Sequence, residues 1–373
     1  MENKVRNSNF EILRIIAMLL IIAGHLTFQS GILNTDSNNK FFAVILGSGL
    51  GVADNIFVLI SAYFLTNIKF STKRILKIYL EVWTYTVPIT IIMLFCGRQW
   101  IGIKDVIRSL FPYSGSPLWF ATCYITMLLF SPFLNSLLNN RKLVKKILIL
   151  LFFINVIPST FLLRNDFFYS GEYVYFCFLY LLMGYFKKYN IEENIKKIPK
   201  YIFGIDGAII YVGIIVSYFG ITFLGDKFSV IQKLCGENSL NEYFIVRYHT
   251  LPAFICSLCI VLFVINSKTY TNKFINLISG GVFSAYIIHQ TPTFAPFMWK
   301  EIIKVDKWMY SKYYVIYYIL SIIFIFIMGC SIGVLRKKIL EPILIKSKIF
   351  EFLQRKLDDF YNTKDWSKDE NNN

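Results

Sequence analysis

Apolar runs of membrane-spanning length follow one another along most of the chain, separated by short polar loops. A helix needs ~20 mainly apolar residues to cross the hydrocarbon core of a bilayer, and ten segments approach that length. They cover residues 10–33, 43–66, 78–96, 117–138, 145–163, 171–187, 201–223, 250–266, 274–291 and 313–335. The pattern predicts an all-α fold, a polytopic integral membrane helical bundle of about ten transmembrane helices.

Basic residues are concentrated after the even-numbered segments, and the remaining loops are less densely basic. Because cytoplasmic loops of membrane proteins carry the excess of Lys and Arg, both termini are predicted to be cytoplasmic. We expect a transmembrane domain over residues 1–340 and a cytoplasmic C-terminal tail over 341–373. The end of that tail, KDWSKDENNN, has few apolar residues and is predicted to be disordered.

Composition supports a membrane protein and excludes an ordinary soluble domain. Of the 373 residues, 55% are hydrophobic and 18% aromatic, and the mean hydropathy is +0.53. The net charge of +16 would suit nucleic acid, but the basic residues lie between apolar runs, which favours lipid head groups as their partners. The CxxC formed by Cys256 and Cys259 lies in an apolar run with no second pair, so we interpret it as packing and predict no metal.

The first apolar segment, EILRIIAMLLIIAGH, carries Arg14 and, eleven positions later, His25. At ~100° per residue, eleven steps end only ~20° beyond three full turns, so both side chains share one helix face. The rise of ~16 Å is about half the hydrocarbon thickness. Arg14 is therefore predicted near the cytoplasmic surface, and His25 deep in the membrane.

Each member of this pair allows two interpretations. An arginine at the inner mouth of a cavity suits phosphate, but Arg14 can also be a snorkelling anchor or pair with Glu11. A histidine deep in a cavity suits proton transfer near neutral pH, but His25 can also form a simple helix–helix hydrogen bond. Ionisable residues inside membrane helices face a cavity or a partner by default, and on position alone both interpretations of each residue stay open.

Several blocks of the sequence resemble the membrane acyltransferase-3 family, whose members acylate bacterial surface sugars and other envelope acceptors. Its first helix has an arginine, ten residues and a histidine, as Arg14 and His25 do. Further similar blocks follow in order: GVADNIFVLISAYFL, KRILKIY, SPLWFATCYITMLLFSPFLN, YLLMGYFKKY and SGGVFSAYIIHQTP. The resemblance spans about residues 9–335. Ala62 departs from it, because the family usually has glycine there.

The resemblance implies an O-acyltransferase of the bacterial cytoplasmic membrane, above all an O-acetyltransferase. The donor is expected to be cytoplasmic acetyl-CoA or a similar acyl-CoA. The acceptor is expected to be a hydroxyl of a cell-envelope polysaccharide, such as a capsule or exopolysaccharide, or its lipid-linked precursor. Members with a fused extracellular esterase-like domain carry extra sequence, so this chain is expected to transfer directly or through a separate partner. Polysaccharide biosynthesis proteins and a homo-oligomer are the protein partners expected.

The resemblance also implies roles for particular residues. The basic block Lys73, Arg74 and Lys77 would hold the CoA phosphates together with Arg14, the alternative being topology-setting charge. His25 would act as general base on the acceptor hydroxyl, or carry the acyl group itself as an acyl-histidine.

Six further polar residues are candidates for the cavity or the acceptor site. They are Asp54, Asn55, Ser61, Arg247, His249 and His289. For His289 the alternative is a satisfied helix-end histidine, and for Arg247 it is an ion pair with Glu242. Two other functions stay open: export of a lipid-linked glycan or small metabolite, with these residues lining the pathway, and succinyl or N-acyl transfer by the same machinery.

Overall fold

The computed structural model describes residues 6–66, 70–113, 118–161 and 171–361, and these ranges are helical and contain no strand. The helices are α1 Ser8–Ser30, α2 Lys40–Gly47, α3 Leu50–Leu65, α4 Thr72–Cys96, α5 Ile103–Leu110, α6 Trp119–Leu137, α7 Arg141–Phe161, α8 Gly171–Lys188, α9 Ile191–Ile195, α10 Lys200–Lys227, α11 Ser229–Asn238, α12 Tyr243–Val246, α13 Leu251–Ile265, α14 Lys273–Ser279, α15 Val282–Gln290, α16 Ala295–Phe297, α17 Tyr314–Ile345 and α18 Lys348–Tyr361. A π-helical stretch, Met298–Ile303, follows α16.

Each of the ten predicted apolar segments contains a helix, so the all-α membrane bundle is confirmed. Within the described ranges, eight helical stretches are long and apolar enough to cross a membrane. The sixth predicted segment is α8, which has only 18 residues. The ninth is divided between the short helices α14 and α15, which are separated by Gly280 and Gly281.

Helix α1 lies at the centre of the bundle, packed against α2, α3, α14, α15 and α17. Its start is capped by the Asn7 side chain, which accepts a hydrogen bond from the Asn9 amide. Its end is set by Gly31 at φ +71°, a left-handed conformation that glycine adopts without strain. Ala17 and Ile22, between these ends, are fully buried.

Helices α15 and α17 approach each other closely at glycine residues. A Cβ atom on Gly329 would lie 2.5 Å from the Ala285 Cα, and one on Gly333 would lie 2.4 Å from the Ser284 hydroxyl oxygen. Small residues allow the backbones of membrane helices to meet at this separation. The contact holds α15 against the centre of the bundle.

The C-terminal region is attached to the bundle as far as the structure describes it. The domain boundary expected after residue 340 falls within α17, and α18 packs against α4. The Thr72 hydroxyl donates to the Asp358 carboxylate, and the Tyr361 hydroxyl donates to the Leu129 carbonyl at 2.8 Å. The stretch predicted to be disordered begins at residue 364 and lies outside the described residues. The division into a transmembrane domain and a cytoplasmic tail therefore stays a prediction.

Gly329→Ala should lower the thermal stability of the purified protein, because the new methyl group must displace backbone at Ala285. Overpacking of this kind costs ~1–3 kcal/mol. The control is Gly213→Ala in α10, where a Cβ atom would meet nothing within 4 Å and alanine is the better helix former. Thermal unfolding in detergent, followed by size-exclusion chromatography, compares the two. Equal melting temperatures for both variants would contradict the close packing of α15 and α17.

Candidate functional site

A cavity of ≈ 250 Å³ opens between α1, α3, α4, α6, α14 and α15. Its lining is mainly apolar and aromatic with a few polar groups: Arg14, Met18, Ile21, Phe57, Ser61, Ile78, Glu81, Phe120, Tyr124, Ser279, Val282, Phe283 and Tyr286. Phe120 and Tyr124 come from the start of α6, on the side predicted to face outward, and Ser279 is the last residue of α14. The other residues come from the starts of α1, α4 and α15 and from the second half of α3. These ends lie on the side predicted to be cytoplasmic.

Each of three helices presents one face to this cavity, and a polar residue continues that face. On α1 the cavity is lined by Arg14, Met18 and Ile21, and His25 is the next position at helical spacing. The face of α1 predicted from the sequence is therefore the face that lines the cavity.

The corresponding faces of α3 and α15 lead to the same depth. On α3, Ser61 and Phe57 line the cavity and Asp54 continues the face. On α15, Tyr286 lines it and His289 is one turn further. Asp54 on α3, His289 on α15 and His25 on α1 are thus the polar residues that follow the lining residues of the three faces, on the side away from Arg14.

Arg14 is anchored by the Glu11 carboxylate, so the ion pair considered in the sequence does form. The Arg14 Nη1 and Glu11 Oε1 atoms are 2.8 Å apart. Glu11 is also paired with Arg6 at 2.8 Å and accepts a hydrogen bond from the Ser279 hydroxyl. Only Nη1 of Arg14 is used among the described residues, so its remaining N–H donors are available to a ligand in the cavity.

The cavity wall also contains Glu81, a residue that sequence reasoning missed. Its carboxylate accepts a hydrogen bond from Ser284 at 3.3 Å and lies 3.9 Å from Arg336 Nη1. Ser284 in turn accepts from the Tyr85 hydroxyl at 2.8 Å. An acidic residue inside an apolar segment was the signal available, since ionisable groups are costly there.

The basic block of α4 does not converge on one point. Lys73 is exposed, and Lys77 is paired with Glu341 of α17 at 2.9 Å. Arg74 lines a second, much smaller cavity together with Tyr180 and other residues of α3, α6 and α8. Since Arg74 precedes Ile78 and Glu81 on the same face of α4, it lies before the larger cavity on the side predicted to be cytoplasmic. The roles of all three in CoA binding stay predictions.

At the end of the α1 face farthest from Arg14, the His25 ring lies within hydrogen-bond distance of the His289 ring. The His25 Nδ1 atom is 2.9 Å from His289 Nε2, and the amide nitrogen Nε2 of Gln290 is 2.7 Å from the same Nδ1 atom. No hydrogen-bond partner of His25 Nε2 lies within the described ranges. His25 is half-buried although Gly24 and Leu26 on either side of it are buried.

His289 is fully buried, and both of its ring nitrogens are engaged. Nδ1 donates to the Ala285 carbonyl at 2.6 Å, and Nε2 faces His25. The ring is therefore placed to act on His25 and has no nitrogen left for the acceptor hydroxyl that the sequence suggested. Gln290 and Trp299, whose ring stands edge-on to His289 at 6.4 Å, were missed. Gln290 was visible as a polar residue beside His289, whereas nothing in the sequence marked Trp299.

Asp54 and Asn55 are neighbours in sequence with different surroundings. Asp54 is 7% exposed and has no hydrogen bond to any described residue. Asn55 donates to the Tyr248 carbonyl at 2.6 Å, and the Tyr175 hydroxyl donates to the same oxygen at 3.2 Å. Asn55 thus holds the segment before α13 in place, while Asp54 remains a candidate for cavity chemistry.

Arg247 and His249 lie in that segment and do not line the cavity. Arg247 forms no ion pair with Glu242, so that alternative is not realised. The His249 ring packs edge-on against Tyr248 with 4.9 Å between ring centroids. Their roles at an acceptor site stay predictions.

No group of three or more His, Cys, Asp or Glu side chains that would hold a metal occurs in the described ranges. All seven cysteines are free. Cys256 and Cys259 are buried in α13, and the Cys256 thiol donates to the Gly207 carbonyl at 3.4 Å, which agrees with packing.

The fold and this site define a multi-pass membrane protein with a mainly apolar cavity that Arg14 lines on one side, and paired histidines beyond its α1 and α15 walls. Residues 7–330 match the model of the acyltransferase domain family, and the chain belongs to this family, the membrane acyltransferase-3 family. It is therefore an enzyme that transfers acyl groups. Comparisons with curated proteins and with solved structures find no match.

Glu11→Gln should destabilise the protein. The substitution removes the negative charge of an almost fully buried carboxylate that contacts both Arg6 and Arg14. Hydrogen bonds to charged groups contribute ~1.5–3 kcal/mol each. The control is Glu351→Gln on α18, where the side chain is exposed. Melting temperatures in detergent provide the measurement. A Glu11→Gln variant as stable as the control would show that this cluster does not hold α1 to α14.

Proposed function

We propose that this protein is an O-acyltransferase of the bacterial cytoplasmic membrane that uses cytoplasmic acyl-CoA, above all acetyl-CoA. Its acceptor is a hydroxyl of a cell-envelope polysaccharide or of its lipid-linked precursor. The observation that carries the proposal is a single face of α1, on which Arg14, Met18 and Ile21 line the cavity and His25 follows one turn beyond Ile21. Family membership supports acyl transfer over export.

The lining of the cavity suits an acyl-CoA donor. Arg14 offers unused N–H donors at the cytoplasmic end, and a guanidinium binds phosphate oxygens through charge-assisted hydrogen bonds. The walls combine aliphatic and aromatic side chains with the hydroxyls of Ser61 and Ser279, which suits the methylene and amide groups of a pantetheine arm. The thioester then lies deeper in the membrane than the phosphates, toward His25.

His25 is placed to act as the general base. Its Nε2 atom takes the proton of the acceptor hydroxyl as the hydroxyl oxygen bonds to the thioester carbonyl carbon. The carbon–sulfur bond breaks, and the CoA thiolate receives the proton back from Nε2. The acyl-histidine variant uses the same atom, with Nε2 as the nucleophile and the acceptor attacking in a second step.

His25→Ala should reduce acyl transfer at least ~100-fold, the contribution typical of a general base. The assay gives purified protein labelled acetyl-CoA and isolated envelope polysaccharide, and follows release of free CoA and labelling of the glycan. Leu26→Met, a conservative change in the buried residue next to it, is the control. Wild-type transfer by the His25→Ala variant would refute the proposed role. Parallel reactions with succinyl-CoA determine the acyl group.

Arg14→Gln should raise the KM for acetyl-CoA by ~10-fold or more, because a charge-assisted hydrogen bond is worth ~1.5–3 kcal/mol. Arg6→Gln is the matched control, since Arg6 also binds Glu11 but does not line the cavity. Initial rates over a range of acetyl-CoA concentrations separate KM from kcat. The same KM for both variants would mean that Arg14 only anchors α1.

A further inference from the structure

The hydrogen bonds around the two histidines determine where their protons are. The Ala285 carbonyl can only accept a hydrogen bond, and it lies 2.6 Å from His289 Nδ1. The proton of a neutral His289 is therefore on Nδ1. Its Nε2 atom then has a lone pair and can only accept.

The position of the proton on His289 also determines which nitrogen of His25 is protonated. The His289 Nε2 atom is 2.9 Å from His25 Nδ1, and two lone pairs at that distance would repel each other. His25 must therefore donate from Nδ1, which leaves its Nε2 atom unprotonated. Nε2 is also the atom with no hydrogen-bond partner among the described residues.

The same logic orients Gln290. Its Nε2 atom is 2.7 Å from His25 Nδ1, but the nitrogen and oxygen of a side-chain amide are assigned from the hydrogen bonds around them. A donating Nδ1 requires the flipped amide, with Oε1 at that place and the NH₂ group turned away. The opposite orientation would make Gln290 the donor and place a second proton on His289. That arrangement puts a positive charge on a fully buried ring that no carboxylate contacts, and an unpaired buried charge is strongly unfavourable.

We propose that His289 and Gln290 are positioning residues for the transfer reaction, which fix His25 in the tautomer whose Nε2 atom is a base. This inference rests on the proposed function of His25. When Nε2 takes the acceptor proton, the Nδ1 proton is shared with His289 Nε2, and the positive charge spreads over both rings. Both N–H groups of His289 are then satisfied, by His25 and by the Ala285 carbonyl. The proton returns along the same atoms and leaves with the CoA thiolate.

His289 thereby does for His25 what a carboxylate does for the histidine of a serine hydrolase triad, which is to hold the ring and its tautomer. Asp54, at a similar depth on α3, forms no hydrogen bond with either ring. The orienting contact comes instead from α15, which is held in place by its close packing against α17.

Kinetics of two His289 variants test the positioning role. His289→Leu removes the acceptor for His25 Nδ1, and kcat should fall by ~10–100-fold, the effect typical of losing an orienting partner, with little change in the KM for acetyl-CoA. His289→Gln supplies a side-chain oxygen as acceptor and should recover part of that loss. Thr291→Val is the control, because it removes a buried hydroxyl that bonds only to the Ile287 carbonyl near the end of α15. A leucine variant as active as the glutamine variant would overturn the proposal, because filling space would then be sufficient.

A spectroscopic measurement tests the tautomer without any acyl transfer. The chain has only three histidines, so histidine-specific ¹⁵N labelling gives three imidazoles, and His25→Ala identifies its own signals by their loss. The resting protein should show His25 protonated at Nδ1 and bare at Nε2, and His289→Leu should shift it toward the other tautomer. A His25 ring protonated at Nε2 in the wild type would overturn the inference. The predicted tautomer together with full activity of His25→Ala would instead refute only the proposed function.

Discussion

The cost of placing ionisable side chains in hydrocarbon is the constraint on which the rest of this structure depends. Helix α1 carries Glu11, Arg14 and His25 in a segment surrounded by other helices. Each of the three contacts at least one polar side chain of a neighbouring residue. Glu11 pairs with two arginines and Ser279, and His25 bonds to His289. The partners of Glu11 and His25 on α14 and α15 therefore determine where these helices pack.

Close packing then converts a stable bundle into a precise site. The Ala285 carbonyl that orients His289 belongs to the residue whose Cα would clash with any side chain at Gly329. The approach of α17 thus fixes the part of α15 that holds the buried hydrogen bond to His25. A chemical group that must be oriented to within a fraction of an ångström is supported by backbone in a rigid helix pair.

Charge is distributed unequally along the cavity, in a way that suits its proposed donor. The charged residues Arg14 and Glu81 line the cavity near the ends predicted to be cytoplasmic, and the wall beyond them is formed by Ile21, Phe57 and Phe120. The polar groups at greatest depth are the neutral histidine pair and the isolated carboxyl side chain of Asp54. A donor with phosphates at one end and a thioester at the other matches this order, because each end meets groups of the required kind.

Much of this was determined by local sequence. Apolar runs identified the helices, the period of ~3.6 residues placed Arg14 and His25 on one face, and the blocks from Gly51 to Pro292 indicated the family. The basic block of α4 shows the limit of that reasoning, since residues adjacent in sequence point ~100° apart around a helix. Lys73 and Arg74 therefore point in different directions, whereas Lys77, which shares a face with Lys73, differs from it because Glu341 of α17 pairs with it.

Only the tertiary structure decided the contacts that give the site its chemistry. His25 and His289 are 264 positions apart, and Arg14 and Glu81 enter one cavity from different helices. Periodicity along the chain assigns a residue to a face of its own helix but does not reveal which other helix that face meets. Glu81, Gln290 and Trp299 were therefore missed, and His289, expected at the acceptor, proved to lie against His25. Hydrogen bonds between distant segments exist only after the helices have packed, and here they determine which nitrogen of His25 is free.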